Sequence, residues 1–236
     1  MSNLRFLIRV LPICLSLLLT SCHKDPIPGE QAFTFTDTRD GHEYLALKIG
    51  EQTWMIENLA YLPAVNGASI GGYRELMYYV FGYEGTDTTE ARATEHYQNY
   101  GVLYNWKAAE RACPEGWKLP SDDDWKELEA FLGMDEAELD KTEWRTSGEV
   151  GVQLKSVSGW NNEGNGSNSS GFNAPPGSLR TKNGIFGSQG EYAYYWTSSP
   201  AGSSVEFGRV LLADSNGIAR YSYPQNYGLS IRCVEK

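Results

Sequence analysis

Three consecutive carboxylates, Asp122 to Asp124, form the longest acidic run in the sequence. Carboxylates in such numbers can hold a divalent cation or act as a general acid and base. They also suit the first turn of a helix, because Ser121 can cap it and Asp124 takes the acidic position of a capping box. Adjacent helical side chains diverge around the axis. We therefore interpret this run as a helix start, and cation binding, with ligands from elsewhere, is the alternative.

The three histidines form no catalytic motif. His23 lies near the N-terminus, His42 in an Asp-Gly-His-Glu turn and His96 in a polar stretch. The sequence has no H-x-x-x-H pair, no G-x-S-x-G and no phosphate-binding loop. Carboxylates are plentiful, but the sequence does not say which two converge. We assign no catalytic residue and expect that the chain is not an enzyme.

A glycine- and asparagine-rich segment, 159–170, is the first candidate binding loop. Amide and carboxylate oxygens on irregular backbone can coordinate Ca²⁺ or bind sugar hydroxyls. The candidate ligand-binding residues are Trp160, Asn161, Asn162, Glu163 and Asn165. The loop lacks the D-x-D-x-D-G spacing of a calcium loop. Whether a metal binds is left open, and the alternative is a solvated connection loosened by glycine.

An aromatic-rich stretch, 73–83, is the second candidate. Its tyrosines and Phe81 alternate with glycines. Exposed rings can stack on carbohydrate or anchor a protein partner, since aromatic side chains dominate many interfaces. Rings of the same kind can instead cover the core, and the sequence does not distinguish the two arrangements.

A short polar stretch after it, Asp87-Thr88-Thr89, resembles the acceptor pattern for O-glycosylation in Bacteroidetes. This pattern would put a glycan on Thr88. The alternative is an exposed loop whose composition matches by chance, because a three-residue pattern has low specificity.

The first 21 residues have the composition of an export signal, with two arginines, an apolar run of about ten residues and small residues before Cys22. The run is too short to span a bilayer. Its Leu-Thr-Ser-Cys ending resembles a bacterial lipobox, which predicts cleavage before Cys22 and lipid on that cysteine. Residues 22–32 would form a polar tether. The predicted location is the outer membrane, with the face left open, and the alternative is a soluble secreted protein.

Charge limits the partners of the domain. The net charge is −10 over the whole sequence, and loss of Arg5 and Arg9 with the signal would make it −12. Nucleic acids are bound by basic patches, so we expect no nucleic-acid partner. Attachment to the membrane is expected through the lipid alone.

Two cysteines remain after the predicted processing, Cys113 and Cys233. In an exported chain a disulfide between them is the default expectation. The alternative is a reactive thiol pair, although neither cysteine has a neighbouring histidine or lysine cluster to lower its thiol pKa.

The remaining chain, 33–236, is expected to form one α+β domain with two or three short helices, a small antiparallel sheet and long ordered loops. Segment 62–98 is expected to be an irregular, mostly exposed insertion. Strands are predicted from alternation and turn residues, and helices from amphipathic spacing. The predicted strands are 44–49, 53–56, 192–198, 205–212, 218–223 and 228–234, the last four as a meander, and the predicted helices are 104–113, 121–133 and a short third within 134–144.

Several segments together resemble the Fibrobacter succinogenes major paralogous domain of Bacteroidetes-type exported lipoproteins. They are CP-GW-LP before the acidic helix, GF-A-P-G at 171–177, the W-S-S strand at 196–199 and the terminal S-I-R-C-V. The resemblance covers nearly all of the mature chain. It implies a fold similar to C-type lectins and the formylglycine-generating enzyme, and it implies little about activity. That enzyme needs a copper-binding cysteine pair in its groove, whereas Cys113 and Cys233 have the positions of a fold-closing bridge.

The expected function is a lipid-anchored, non-catalytic module of the cell envelope that presents loops to a glycan or a protein. The first alternative is an oxidoreductase similar to the formylglycine-generating enzyme, which would need two free thiols. The second is a subunit of a surface assembly such as a pilus tip. No cofactor is expected apart from Ca²⁺ at the 159–170 loop.

Overall fold

A computed structural model describes residues 31–236, which contain short helices and mainly antiparallel sheets. The signal segment, most of the tether and the lipidation at Cys22 lie outside the described residues. The strands are β1 (Phe33–Thr36), β2 (Glu43–Ile49), β3 (Gln52–Met55), β4 (Tyr78–Tyr79), β5 (Leu103–Tyr104), β6 (Trp117–Lys118), β7 (Glu143–Arg145), β8 (Tyr192–Gly202), β9 (Val205–Leu212), β10 (Ile218–Pro224) and β11 (Val234–Glu235). The helices are α1 (Thr88–Arg92), α2 (Glu95–Tyr100), α3 (Trp106–Ala112), α4 (Asp122–Phe131), α5 (Glu136–Leu139) and α6 (Val150–Leu154).

Two sheets organise the domain, one of five strands in the order β1-β2-β3-β11-β6 and one of four in the order β7-β10-β9-β8. A small third sheet pairs β4 with β5. The α+β prediction is confirmed. The described chain has six α-helices where two or three were expected, because α1, α2 and α6 have only five or six residues. Helices this short are too brief for an amphipathic repeat to be visible in the sequence.

The hairpin β2–β3 follows from alternation and one glycine. Tyr44, Ala46 and Ile49 are buried, and the residues between them are more exposed. Ile49 pairs with Gln52, so the loop has two residues. Gly50 has φ +65°, the left-handed conformation that tight hairpin turns require and that glycine adopts at least cost. The two predicted strands are confirmed to within a residue.

The C-terminal strands only partly form the predicted meander. Strands β8, β9 and β10 are consecutive antiparallel neighbours, as expected. The fourth predicted strand is wrong, because Val234 pairs with Trp54 of β3 and Lys118 of β6 in the other sheet. Alternation predicts a strand but does not identify its neighbour, since that choice is made by long-range packing.

Segment 62–98 differs from its predicted form as an exposed insertion. It contains β4, α1 and most of α2 and contributes buried residues to the core, including Tyr79 and Val80. Arg180, from outside the segment, is fully buried and donates through Nε to the carbonyl oxygen of Ala68 at 3.0 Å. Its guanidinium also lies 4.4 Å from the centre of the Tyr79 ring. The segment is therefore held to the domain by a buried arginine, a partner that the local sequence cannot reveal.

Buried aromatic rings fill the space under α4. Trp125 lies 5.1 Å from Trp54, 5.5 Å from Phe172 and 5.7 Å from Tyr195, measured between ring centres. All four side chains are fully buried. Rings of this size bury about 150–250 Å² each. Phe172 therefore anchors the chain just after the glycine-rich 159–170 loop to the core.

The predicted disulfide is present between Cys113, which follows α3, and Cys233, next to β11. Their Cα atoms are 5.9 Å apart, and the bridge closes a sequence separation of 120 residues. It ties the end of α3 to the five-stranded sheet, so the middle of the described chain is covalently joined to its C-terminal part.

Candidate functional site

The acidic run opens α4 as a capped helix. Ser121 Oγ accepts a hydrogen bond from Asp124 N at 3.1 Å, and Asp124 Oδ2 accepts one from Ser121 N at 2.7 Å, a complete capping box. After the helix, Gly133 has φ +97°, the left-handed conformation common at this position. The predicted helix start and stop are both confirmed.

The three carboxylates diverge. Asp123 points to solvent with 92% of its side chain exposed, while Asp122 faces inward and is buried. Within residues 31–236, no group of three His, Cys, Asp or Glu side chains is close enough to hold a metal ion. The carboxylate run therefore does not converge on a point where an ion could bind.

Asp122 sits between two arginines of the four-stranded sheet. Arg209 of β9 and Arg220 of β10 are directly opposite in the register of the two strands, an arrangement that is unfavourable for like charges. Asp122 Oδ1 accepts from Arg209 Nη1 and from Arg220 Nε, both at 2.8 Å, and Oδ2 accepts from Arg220 Nη2 at 2.8 Å. One carboxylate thus compensates the charge of two neighbouring strands and holds the start of α4 on the sheet.

Glu129, two turns further along α4, holds the same helix near its C-terminal end. Its carboxylate accepts from Arg145 Nη1 at 2.7 Å, from Arg145 Nη2 at 2.8 Å and from Arg209 Nε at 2.6 Å. Glu129, Arg145 and Arg209 are all fully buried. Buried charges of this kind cost several kcal/mol each in lost hydration unless they are paired. We assign this network a positioning role, because its carboxylates and guanidinium groups pair with one another.

Acid is expected to weaken this network. Burial raises the pKa of the Asp122 carboxyl, but hydrogen bonds from Arg220 and Arg209 outweigh burial and bring that pKa below its usual value of 3.8. In the unfolded chain the carboxyl regains a pKa of about 3.9. The contribution to stability is therefore complete above the unfolded pKa and is lost as the pH falls toward the folded pKa.

We predict that the free energy of unfolding falls as the pH drops below about 5, and that the fall is shallower in Asp122→Asn. The variant lacks the titrating carboxyl, although it is less stable at neutral pH. Urea unfolding at several pH values measures both slopes. Equal slopes for the two proteins would contradict the role given to Asp122.

The 159–170 loop uses two of its predicted binding residues for its own structure. Trp160 is 5% exposed, and its Nε1 donates to Ser156 Oγ at 3.1 Å. Asn165 Oδ1 accepts from Trp160 N at 3.1 Å. Asn161, Asn162 and Glu163 are exposed. The structure thus separates a core tryptophan from an exposed tip, and ligand or Ca²⁺ binding at that tip stays a prediction.

A buried lysine supports the base of this loop. Lys155 Nζ donates to the carbonyl oxygens of Leu212, Ala213 and Ser215 at 2.9–3.1 Å and lies 5.2 Å from the centre of the Trp160 ring. Its ammonium group therefore satisfies three backbone carbonyls of the β9–β10 turn. The pKa of Lys155 is lowered by burial, since desolvation disfavours the charged form.

The aromatic stretch 73–83 divides between surface and core. Tyr73 is 48% exposed, whereas Tyr78 and Tyr79 are buried. Phe81 and Tyr83 are half-buried, and Phe81 packs 4.9 Å from Phe186 between ring centres. Most of the rings therefore cover the core, and Tyr73 alone of these five is largely exposed.

Thr88 is the first residue of α1 and is half-buried. Asp87 is the N-cap of this helix, and its side chain accepts from Thr89 N at 2.7 Å. The Asp-Thr-Thr pattern is thus that of a helix start as well as of a glycosylation acceptor. Glycosylation of Thr88 stays a prediction.

The described histidines lie apart from each other. His42 Nε2 is 3.8 Å from a carboxylate oxygen of Glu57, and this neighbouring carboxylate raises the pKa of His42. The pair borders a cavity of about 60 Å³, which has room for only a few water molecules. His96 packs against Phe81 with 5.1 Å between ring centres. The fold therefore does not bring these two histidines together.

The larger cavity is an open groove of about 480 Å³ beside the disulfide. It is lined by residues of α3, by the Pro114–Leu119 turn with β6, by Ser198 of β8 and by Lys236. This volume is in the range of small-molecule sites, about 300–1,000 Å³. We define the groove by six of its lining residues, which are Trp106, Glu110, Cys113, Trp117, Lys118 and Ser198.

Sequence reasoning missed this groove, although its residues belong to recognisable motifs. Trp106 and Glu110 lie in the predicted helix 104–113, and Trp117 and Lys118 in the CP-GW-LP segment. These two segments follow each other directly in the sequence, so their proximity was a usable signal. Ser198 comes from a distant strand that no local pattern links to them.

The sequence of the described domain matches that of one family. Residues 47–235 match the Fibrobacter succinogenes major domain, in agreement with the resemblance found in the sequence. No curated protein and no solved structure matches the chain. None of the helices in residues 31–236 has the length and apolar character needed to cross a bilayer. Because the match spans most of the chain, the protein belongs to the Fibrobacter succinogenes major domain family.

Proposed function

We propose that this protein is a lipid-anchored binding module of the cell envelope that holds a ligand in the groove beside the disulfide and catalyses no reaction. The groove supports this proposal most directly, because its volume suits a small ligand or the end of a polymer. The Cys113–Cys233 bridge ties α3 to the chain beside β11, and β11 pairs with β6, so two of the elements that line the groove are held together and the site is preorganised. The lipobox ending at Cys22 supports attachment to a membrane.

An oxidoreductase similar to the formylglycine-generating enzyme is the second candidate, because Cys113 lines the groove. Such an enzyme would use two free thiols that bind copper. In this structure both sulfurs are in one disulfide, and Cys233 is fully buried. The binding module is therefore the better supported of the two functions.

One experiment on cells tests anchoring and binding together. The full chain and its Cys22→Ser variant are expressed, and membranes are separated from the soluble fraction. We expect the chain in the membrane fraction and the variant in the soluble fraction, since one cysteine carries the proposed lipid. Chemical cross-linking on intact cells, followed by purification of the chain, then identifies polysaccharide or protein held by the anchored form.

The groove variant Ser198→Trp and the distant exposed variant Tyr73→Ala are cross-linked in parallel. If the unaltered chain and Cys22→Ser distribute equally between the membrane and soluble fractions, the proposed lipid anchor at Cys22 is contradicted. Absence of any specific cross-linked ligand in every form would contradict the binding function. If the same set of assembly subunits is cross-linked to the unaltered chain and to every variant, a structural role in a surface assembly is favoured.

A further inference from the structure

The groove has a rigid aromatic lining. Trp106 is fixed at both ends, because its backbone N donates to Gln225 O and its Nε1 donates to Thr197 O, each at 3.0 Å. Trp117 is held from outside the groove by Phe35, whose ring stacks on it with centres 4.5 Å apart and planes 21° apart. Both indoles border the groove, but Trp117 is only 7% exposed, so the accessible aromatic surface comes mainly from the half-buried Trp106. A ligand therefore meets an aromatic ring whose orientation is set before it arrives.

The acidic and basic side chains of the groove are equal in number. Glu110 and Glu115 are two acids, and Lys118 and Lys236 are two bases. Lys118 Nζ already contacts Asp124 Oδ1 at 2.8 Å, and Glu110 lies 3.5 Å from Lys107. The groove thus has no excess of one sign to attract a charged ligand, in contrast to sites for phosphates or carboxylates, where charge dominates.

The backbone at the groove is already paired. Trp117 N donates to Pro114 O at 3.0 Å, and Ser198 N donates to Pro120 O at 2.9 Å. Extended peptides commonly bind by adding a strand to free backbone groups at a sheet edge. Because these two N–H groups are occupied, we assign recognition to side chains, which are the Trp106 indole, carboxylates, ammonium groups and the exposed Ser198.

We propose, resting on the binding function above, that the groove takes a neutral saccharide. A sugar ring presents a face of C–H groups that packs on an indole and a rim of hydroxyls that both donate and accept hydrogen bonds. The groove supplies both kinds of partner, since Glu110 accepts hydrogen bonds and Ser198 accepts and donates them. Its charge balance fits a ligand with no charge of its own.

Titration of the purified full chain with oligosaccharides tests this assignment. The probes are neutral gluco-, manno- and xylo-oligosaccharides, matched uronic-acid and sulfated oligosaccharides, and uncharged peptides of similar size. Calorimetry and tryptophan fluorescence report binding. We expect binding of at least one neutral oligosaccharide, and at least tenfold weaker binding of its charged counterpart.

Variants then locate the site. Ser198→Trp fills the groove from an exposed position and is expected to weaken saccharide binding at least tenfold, as is Trp106→Ala. Tyr73→Ala, which removes an exposed ring outside the groove, is the matched control and should bind normally. Thermal unfolding verifies that each variant is folded. If Trp106→Ala does not fold, Ser198→Trp alone decides the test.

Three results would overturn the saccharide assignment: no neutral oligosaccharide binds, only charged sugars or peptides bind, or Ser198→Trp binds like the unaltered chain. These results are separable from failure of the binding function itself. If cross-linking on cells still captures a ligand when the groove is filled, the protein is a binding module whose site lies elsewhere.

Discussion

Replacing Glu129 with Gln is expected to lower the free energy of unfolding by about 3–5 kcal/mol, the largest effect that we predict for any single substitution. The glutamine keeps the shape of the side chain and removes its charge. Arg145 and Arg209 then stay fully buried without the carboxylate that binds both of them. Breaking a buried ion pair from one side costs this much because Arg145 loses its one carboxylate partner within the described residues, and Arg209 keeps only Asp122.

The matched control is Asp123→Asn, which removes the same charge from the same helix at an exposed position. Its only ion-pair partner within the described residues is Lys126 at 3.4 Å, so a change within about 0.5 kcal/mol is expected. Urea unfolding followed by circular dichroism and by tryptophan fluorescence gives both values. A Glu129→Gln protein as stable as Asp123→Asn would show that the network does not hold α4 on the sheet.

Removing the disulfide with Cys113→Ala and Cys233→Ala together is expected to cost about 2–4 kcal/mol. The bridge joins residues 120 apart, and a loop of that length gives about 4–5 kcal/mol when only the entropy of the unfolded chain is counted. We expect the loss in the free energy of unfolding and not in the folded structure around the cysteines, because the cross-link constrains mainly the unfolded state. Urea unfolding of the double variant measures it.

The control is the unaltered chain unfolded in the presence and absence of reductant. Both the reduced chain and the double variant should lose stability by a similar amount, since both lack the bridge. If the double variant is destabilised and reductant has no effect, the loss comes from missing side-chain volume at Cys233, which is fully buried, and not from the cross-link.

Local patterns predicted the local parts of this structure well. The capping box of Ser121 and Asp124, the stop at Gly133 and the hairpin turn at Gly50 all depend on residues within a few positions of each other. Short-range hydrogen bonds and backbone conformation determine such features, and a sequence displays both directly.

The buried charges could not be predicted in the same way. Glu129 is a fully buried carboxylate near the C-terminal end of α4, whereas the apolar Phe131 of the same helix is 50% exposed. The difference arises because three arginines on β7, β9 and β10 face the helix. Which strands lie under a helix is decided by tertiary packing, so a buried carboxylate cannot be told from a solvated one by spacing alone.

The candidate site shows the same limit. The aromatic rings of 73–83 and Trp160 were singled out as ligand contacts, yet Tyr78, Tyr79 and Trp160 are buried. In a chain with seven tryptophans and fifteen tyrosines, aromatic composition does not separate core rings from binding rings. The groove became visible only when the disulfide, α3 and Ser198 of β8 were assembled.

The most direct test of a closed, non-catalytic domain is a map of the free thiols at Cys113 and Cys233 in the purified protein. The chain is unfolded without reductant, alkylated and digested, and each cysteine peptide is weighed by mass spectrometry. We predict no alkylation at either residue and one cross-linked peptide pair, because the two sulfurs close the fold. Alkylation of both residues would contradict this prediction, and would instead give the groove a pair of thiols suited to oxidoreductase chemistry.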